Sequence, residues 1–501
     1  ELFVMNYIST RGGVKGKKTS AYVIKQGLAD DGGLYVPEQI PALSEVEMCA
    51  LSKMNYIQKA SYILGLFLTD YTEEELNSAA AAAYGSRKFP SLPVGLSQVN
   101  GDFILELWHG PTSAFKDMAL QIMPHLLSLA LKKTGEDKNA LILVATSGDT
   151  GKAALEGYAD ADRVSIQVFY PIEGVSGIQK KQMACQRGKN VMVTAIKGNF
   201  DDAQSGVKEI FADRDTEALL SEKGLFLSSA NSINWGRLAP QIVYYISAYC
   251  ELMRLKRIKY GDLVNVTVPT GNFGNILACY IAKKMGVPIG KIICASNSNN
   301  VLTDFLNTGV YDKRRTFYTT ISPSMDILIS SNLERLLFMT AGAKRCSSYM
   351  KNLSEKGFFE VDNDVIEVIR ADICGFYCGE ENTKSTIASY FNKYNYLPDT
   401  HTAVALFCAG EYKKKSGDDS VMLIASTASP YKFAPAVLTS LGAAGQENDF
   451  EAIRKLNEIS GIKIPTRLAA LESKKPRFNT VIEKSDMKRE VLRFASEQSK
   501  S

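Results

Sequence analysis

Three short loops hold the residues whose types and spacing can do chemistry. The first, LWHGPTSAFKDMALQ over 107–121, turns at Gly110 and Pro111 and carries Lys116 close to Phe115 and Met118. Thr112 and Ser113 are suited to cap a helix opening near Ala114, which puts Lys116 in its first turn. A cation is disfavoured at that positive end of a helix. The same environment lowers the pKa of an amine and frees it as a nucleophile. Taken alone, the loop is also readable as an ordinary helix start with a surface lysine. The second loop, Thr146-Ser147-Gly148-Asp149-Thr150-Gly151, exposes backbone N–H groups where a helix begins, which is an anion site. A tight turn capped by Asp149 or Thr150 would look the same. The third, Pro269-Thr270-Gly271-Asn272-Phe273-Gly274-Asn275, makes a similar cradle with two glycines. Two anion cradles and one lysine able to form an imine point to a phosphorylated cofactor and an acidic substrate. Pyridoxal 5′-phosphate fits both.

Loops of this kind need strands to end on and helices to begin. Short, continuously apolar runs stand at 139–145, 164–169, 191–196, 264–268, 292–295 and 421–425. Helical patterns lie between them at 150–158, 177–187, 200–214, 238–255 and 275–285. Buried strands alternating with helices predict βαβ units, a parallel sheet and the α/β class. Such sheets bind ligands beyond the carboxyl ends of their strands. Upstream, 44–83 has helical periodicity and 89–94 reads as a proline-bearing linker. The block 305–349 is less regular, and the last stretch is charged and helical in pattern, as a solvated face would be.

Composition excludes several function classes. The 501 residues carry 58 Lys+Arg against 54 Asp+Glu, a net charge of +4, too balanced for a nucleic-acid or membrane-surface face. With 45% hydrophobic residues the chain is not disordered. Nine scattered cysteines without C-x-x-C, and three separated histidines, predict reduced thiols in a cytoplasmic protein and no protein-ligated metal. Cys374 and Cys378 are spaced to share a helical face. No run is long and apolar enough to span a bilayer, and the N-terminus lacks a secretory pattern. Met5 has the look of a natural start. The phosphate-loop, G-x-G-x-x-G, G-x-S-x-G and H-E-x-x-H motifs are all missing.

Together the loops resemble the threonine synthase family. YISTRG (7–12) and GLADDGGLYVP (27–37) are similar to its N-terminal signature, and HGPTSAFKDMALQ (109–121) to its cofactor-lysine motif. TSGDTG, GNFGN, SSANSINWGRLAPQ (228–241), HTAVA (401–405) and STASPYKF (426–433) follow in the family's order. The resemblance implies a fold-type II pyridoxal-phosphate enzyme, tryptophan synthase β-like. Two open, mostly parallel α/β lobes and an N-terminal segment would be divided as 1–98, 99–230 and 231–501. Residues 99–230 form the smaller, mobile lobe.

It also implies site roles. Lys116 bears the cofactor as a Schiff base and then shuttles protons. Gly271, Asn272, Phe273, Gly274 and Asn275 cradle the cofactor phosphate, and Thr427 faces the pyridine nitrogen. Thr112, Ser113, Ser147, Gly148, Asp149 and Thr150 meet the substrate, the last four through its carboxylate. Asn234 and Arg237 grip the substrate phosphate, or else serve as an N-cap and a salt bridge. Asn275 stands where relatives often carry Asp, Ser429 where some have His, and Thr400 where Pro is common. His401 reads as structural. The implied reaction is that of a carbon–oxygen lyase of threonine biosynthesis. It takes O-phospho-L-homoserine and water to L-threonine and phosphate, in a monomer or homodimer. Two alternatives stay open. One is a phospholyase that stops at elimination and releases a 2-keto acid. The other is a binding module that kept the fold and lost the chemistry, which would take up no cofactor.

Overall fold

The computed structural model describes residues 4–146, 148–173, 175–443 and 448–499. Its larger sheet has six strands in the order Ile373–Tyr377, Ile289–Ser296, Val264–Pro269, Val421–Ser426, Asp102–Glu106 and Gly95–Val99. All pairs are parallel except the last, a hairpin. The smaller sheet has five parallel strands in the order Val481–Ile482, Val191–Ile196, Val164–Pro171, Asn139–Ala145 and Leu225–Ser228. The apolar runs are continuous because helices cover both faces. Val264–Pro269, for example, is buried at every residue.

The expected α/β alternation is present, with helices Asp149–Tyr158, Gly177–Ala184, Trp235–Arg254 and Gly274–Lys284 following their strands. The pattern at 200–214 resolves into Phe200–Ala212 and Arg214–Glu222, broken at Asp213. The periodicity at 44–83 resolves into Glu45–Leu51, Tyr56–Phe67 and Glu73–Tyr84. Each of these starts with a capping box, Ser44/Glu47, Asn55/Gln58 and Thr72/Glu75. Glu45–Leu51 and Tyr56–Phe67 pack against Trp235–Arg254, which is buried over almost its whole length, and Glu73–Tyr84 packs on Tyr56–Phe67. Within 305–349, helix Leu333–Lys356 bends at Gly342, where φ is 78°. Cys374 lies on a strand, not a helix, with Cys378 just beyond its end. Among the described residues no helix is long and apolar enough to cross a membrane.

Strand pairing does not follow the sequential division at 98/99 and 230/231. The hairpin Gly95–Val99 with Asp102–Glu106 crosses the first boundary and belongs to the larger sheet through Val421–Ser426. At the other end, Val481–Ile482 extends the smaller sheet. Helix Met487–Gln498 buries Met487, Val491 and Phe494 in the smaller lobe's core. The terminal stretch is therefore more than a solvated face. Its apolar residues recur at helical spacing, but nothing local tells which lobe they will cover.

Candidate active site

Four loops leave the carboxyl ends of parallel strands of the two sheets. The lysine loop follows Asp102–Glu106, the Gly271–Gly274 loop follows Val264–Pro269, and Thr427 follows Val421–Ser426. All three strands belong to the larger sheet. The Gly148 loop follows Asn139–Ala145 of the smaller one. The lysine loop is sewn to the Thr427 segment by backbone bonds. Phe115 N–H donates to the Thr427 carbonyl at 2.8 Å, and Ser429 N–H to the Ser113 carbonyl at 3.0 Å.

Lys116 is half-buried and occupies the N-cap position of a short helix, Asp117–Leu120. The helix thus opens three residues later than expected, and Thr112 and Ser113 do not cap it. Thr112 is fully buried, its hydroxyl donating to Asp117 Oδ1 at 2.9 Å and its N–H to Oδ2 at 2.8 Å. Ser113 is buried, with φ 60°. Burial lowers the Lys116 amine from an ordinary 10.5 to about 8; Asp149 opposes the shift, and Arg237 and Lys432 add to it. Burial likewise pushes Asp117 up to about 6.

In the second loop Gly148 has φ 145°, and a Cβ there would fall 2.3 Å from the Gln179 side chain. Thr146 Oγ1 accepts the N–H groups of Gly148 at 3.0 Å and Gly151 at 2.9 Å. The N–H groups of Asp149 and Thr150 are then the ones left to a ligand. Ser147 lies outside the described residues. The Asp149 side chain is engaged within the protein, which leaves only its backbone N–H for a ligand. It pairs with Lys432 Nζ at 2.6 Å and accepts from Gln179 Nε2 at 3.0 Å. Burial raises its pKa, but Lys432 and then Lys116 outweigh burial and hold it well below the carboxylate range.

The third loop has three features that a bound group would satisfy. A Cβ on Gly271 would meet the Ser324 carbonyl at 2.7 Å, so the turn Pro323–Met325 closes on bare backbone. Phe273, at φ 64°, is the N-cap of helix Gly274–Lys284 and makes no side-chain cap bond, which leaves the helix's first N–H groups open. Asn275 Oδ1 accepts from Tyr244 at 2.6 Å and Tyr245 at 2.5 Å, while its buried Nδ2 has no partner. Asn272 is exposed, and Asn332 holds its carbonyl at 3.0 Å. The Thr427 hydroxyl takes no hydrogen bond among the described residues, although the residue is buried.

Asn234 and Arg237, expected to act together, separate. Asn234 Oδ1 accepts from Gly236 N–H at 2.8 Å and Nδ2 donates to the Ile24 carbonyl at 2.9 Å, so its amide is consumed as a cap. Replacing it with Ala is expected to cost about 1 kcal/mol of stability by urea unfolding and to leave substrate affinity unchanged. Arg237 is 5% exposed, donates from Nη1 to the Ala230 carbonyl at 2.6 Å, and leaves Nε buried without a partner. Among the described residues it has no salt bridge, and burial lowers its pKa to about 10.

Family comparison decides what this arrangement is. Residues 6–84 match the threonine synthase N terminus, 95–427 the pyridoxal-phosphate dependent enzyme family, and 402–491 the threonine synthase C-terminal family. The chain belongs to the threonine synthase family. Threonine synthase from Pseudomonas aeruginosa is 39% identical over 86% of this chain and 90% of its own. The crystal structure of the PLP-bound enzyme from Brucella melitensis is 35% identical, with a TM-score of 0.87 over 98% of this chain and 99% of that one. Threonine synthase-like 1 of Homo sapiens is 40% identical over 90% of this chain, and the chain spans 60% of that protein's length.

Membership makes pyridoxal 5′-phosphate the cofactor, and the fold is the fold-type II architecture. The third loop fits the cofactor's phosphate, with a cradle that a Cβ would fill and an unpartnered Asn275 amide. One contributor, Lys432, has no role assigned from the sequence. Lys432 stands in the quoted STASPYKF, where a lysine between aromatics looks like any surface cation. His401 accepts the Ser324 N–H at Nε2, 3.1 Å, with its Nδ1 bonded to Asp399 at 2.7 Å. It thereby fixes the turn that closes on Gly271, a structural role as expected.

Proposed function

We propose that this chain is a threonine synthase, converting O-phospho-L-homoserine and water to L-threonine and phosphate. One observation carries the reading past the family. Arg237 is a buried cation with an unused Nε and no carboxylate partner among the described residues, and its field reaches Lys116. A buried charge without a partner is costly. An anionic substrate group removes that cost, and a phosphate ester suits a guanidinium fork.

The bound cofactor supplies an electron sink for negative charge at the substrate α carbon. The other tasks fall to the chain. Gly271, Asn272, Phe273, Gly274 and Asn275 would hold the cofactor phosphate, and Thr427 would serve its ring nitrogen. Lys116 would hold the cofactor through its amine. Its Nζ, lowered to about 8, is matched to move protons at the α and β carbons near neutral pH. The N–H groups of Asp149 and Thr150 orient the substrate carboxylate. Arg237 stabilises the charge on phosphate as it leaves the γ carbon. Closure of the smaller lobe excludes bulk water until water adds at the β carbon. The nine unpaired cysteines support a cytoplasmic protein, taken to be a monomer or homodimer.

A second reading, a phospholyase releasing a 2-keto acid, draws support from the relatives that carry the name threonine synthase-like 1. Product analysis on phosphohomoserine separates the two. Threonine and phosphate in equal amounts support the synthase. Phosphate accompanied mainly by 2-ketobutyrate supports the phospholyase and refutes the first reading.

A further inference from the structure

Lys432 lies in the turn Pro430–Phe433, and its side chain is 0% exposed. Its ammonium donates to Asp149 Oδ1 at 2.6 Å, to the Thr112 carbonyl at 3.0 Å and to Gln182 Oε1 at 3.2 Å. An ammonium has three donors, and all are engaged. Lys432 therefore cannot grip a substrate itself. Its partners come from separate places: the lysine loop, the first residue of helix Asp149–Tyr158, and helix Gly177–Ala184.

Asp149 sets the problem that this lysine solves. It is 6% exposed, and it opens the same helix whose first N–H groups would orient an amino-acid carboxylate. An unneutralised carboxylate there would stand beside the incoming one. At a separation of about 5 Å and an effective dielectric of about 20, such repulsion weakens binding about a hundredfold.

We propose that Lys432 is a positioning residue that cancels the charge of Asp149 and so admits an amino-acid carboxylate beside Lys116. This rests on the reading of the Gly148 loop given above. A brace between the lobes would use the same contacts, but it would not predict that removing both charges restores binding.

The test uses cofactor-loaded protein and L-2-aminobutyrate, which has the α-carboxylate and no leaving group. Its binding is followed by the visible absorbance of the cofactor. Lys432→Met is expected to weaken aminobutyrate about a hundredfold and to raise KM for phosphohomoserine in parallel, with kcat changed far less. Lys432→Arg should bind close to wild type. The double variant Lys432→Met/Asp149→Asn should return to within about threefold of wild type. A double variant that folds and loads with cofactor yet binds as weakly as Lys432→Met overturns the proposal. So does Lys432→Met that binds normally. Should Lys432→Met fail to fold, the double variant, in which neither position 432 nor position 149 carries a charge, decides alone. Failure of the functional reading looks different, because wild type then binds aminobutyrate with the same ordering of variants but leaves phosphohomoserine intact or converts it mainly to 2-ketobutyrate.

Discussion

Lys116→Ala is expected to lower turnover of phosphohomoserine by about 10⁴-fold or more, the upper range for removing a proton-transfer group. It should also abolish the visible absorbance of bound cofactor, because no other amine replaces it. Lys432, whose charge acts on Lys116, has its three donors committed. The lowered pKa adds a second observable. An amine must be uncharged to bond to a carbonyl carbon. Burial brings Lys116 from 10.5 to about 8, so the uncharged form dominates above that value. The rate at which cofactor-free protein takes up cofactor should therefore rise with pH and level off above about 8, where an exposed lysine would keep rising to about 10.4. Turnover retained in Lys116→Ala removes the lysine from the chemistry. A loading midpoint near 10 removes the desolvation argument.

The second large effect is expected at Arg237, and it runs in opposite directions for stability and function. Arg237→Met removes a buried cation that has no carboxylate partner among the described residues. The effective penalty for such an ion is several kcal/mol. Loss of the bond to the Ala230 carbonyl costs about 1–3 kcal/mol in return. The balance is a variant more stable than wild type by about 1–2 kcal/mol in ligand-free unfolding. Binding of the phosphorylated substrate should weaken by about 2–5 kcal/mol, read as KM. Inorganic phosphate should raise the melting temperature of wild type and leave the variant unmoved. A destabilised variant with normal KM would make Arg237 a purely structural donor to Ala230.

Much of the site was legible because the constraints on it are local. Glycine at 148 answers to its own φ of 145°, which L side chains rarely adopt. The apolar runs announce strands buried on both faces, and loops at their carboxyl ends are where ligands bind. The capping boxes at Ser44, Asn55 and Thr72 are complete within four residues each. Other features join residues far apart in the chain and had no local sign. The hairpin at 95–106 belongs to a sheet whose adjacent strand is Val421–Ser426. The strand Val481–Ile482 finishes a sheet begun in the first third of the chain.

Sequence alone determined the lysine, the two glycine cradles, the α/β class and the cofactor, because each depends on residue type within one turn of chain. Only the tertiary structure decided the charges. It made Asn234 a cap, left Arg237 without a counter-ion among the described residues, and gave Asp149 to Lys432, whose ammonium also reaches the Thr112 carbonyl 320 residues away. Ionic partners are chosen by proximity and burial after folding, and neither quantity is written in the spacing of residues along the chain.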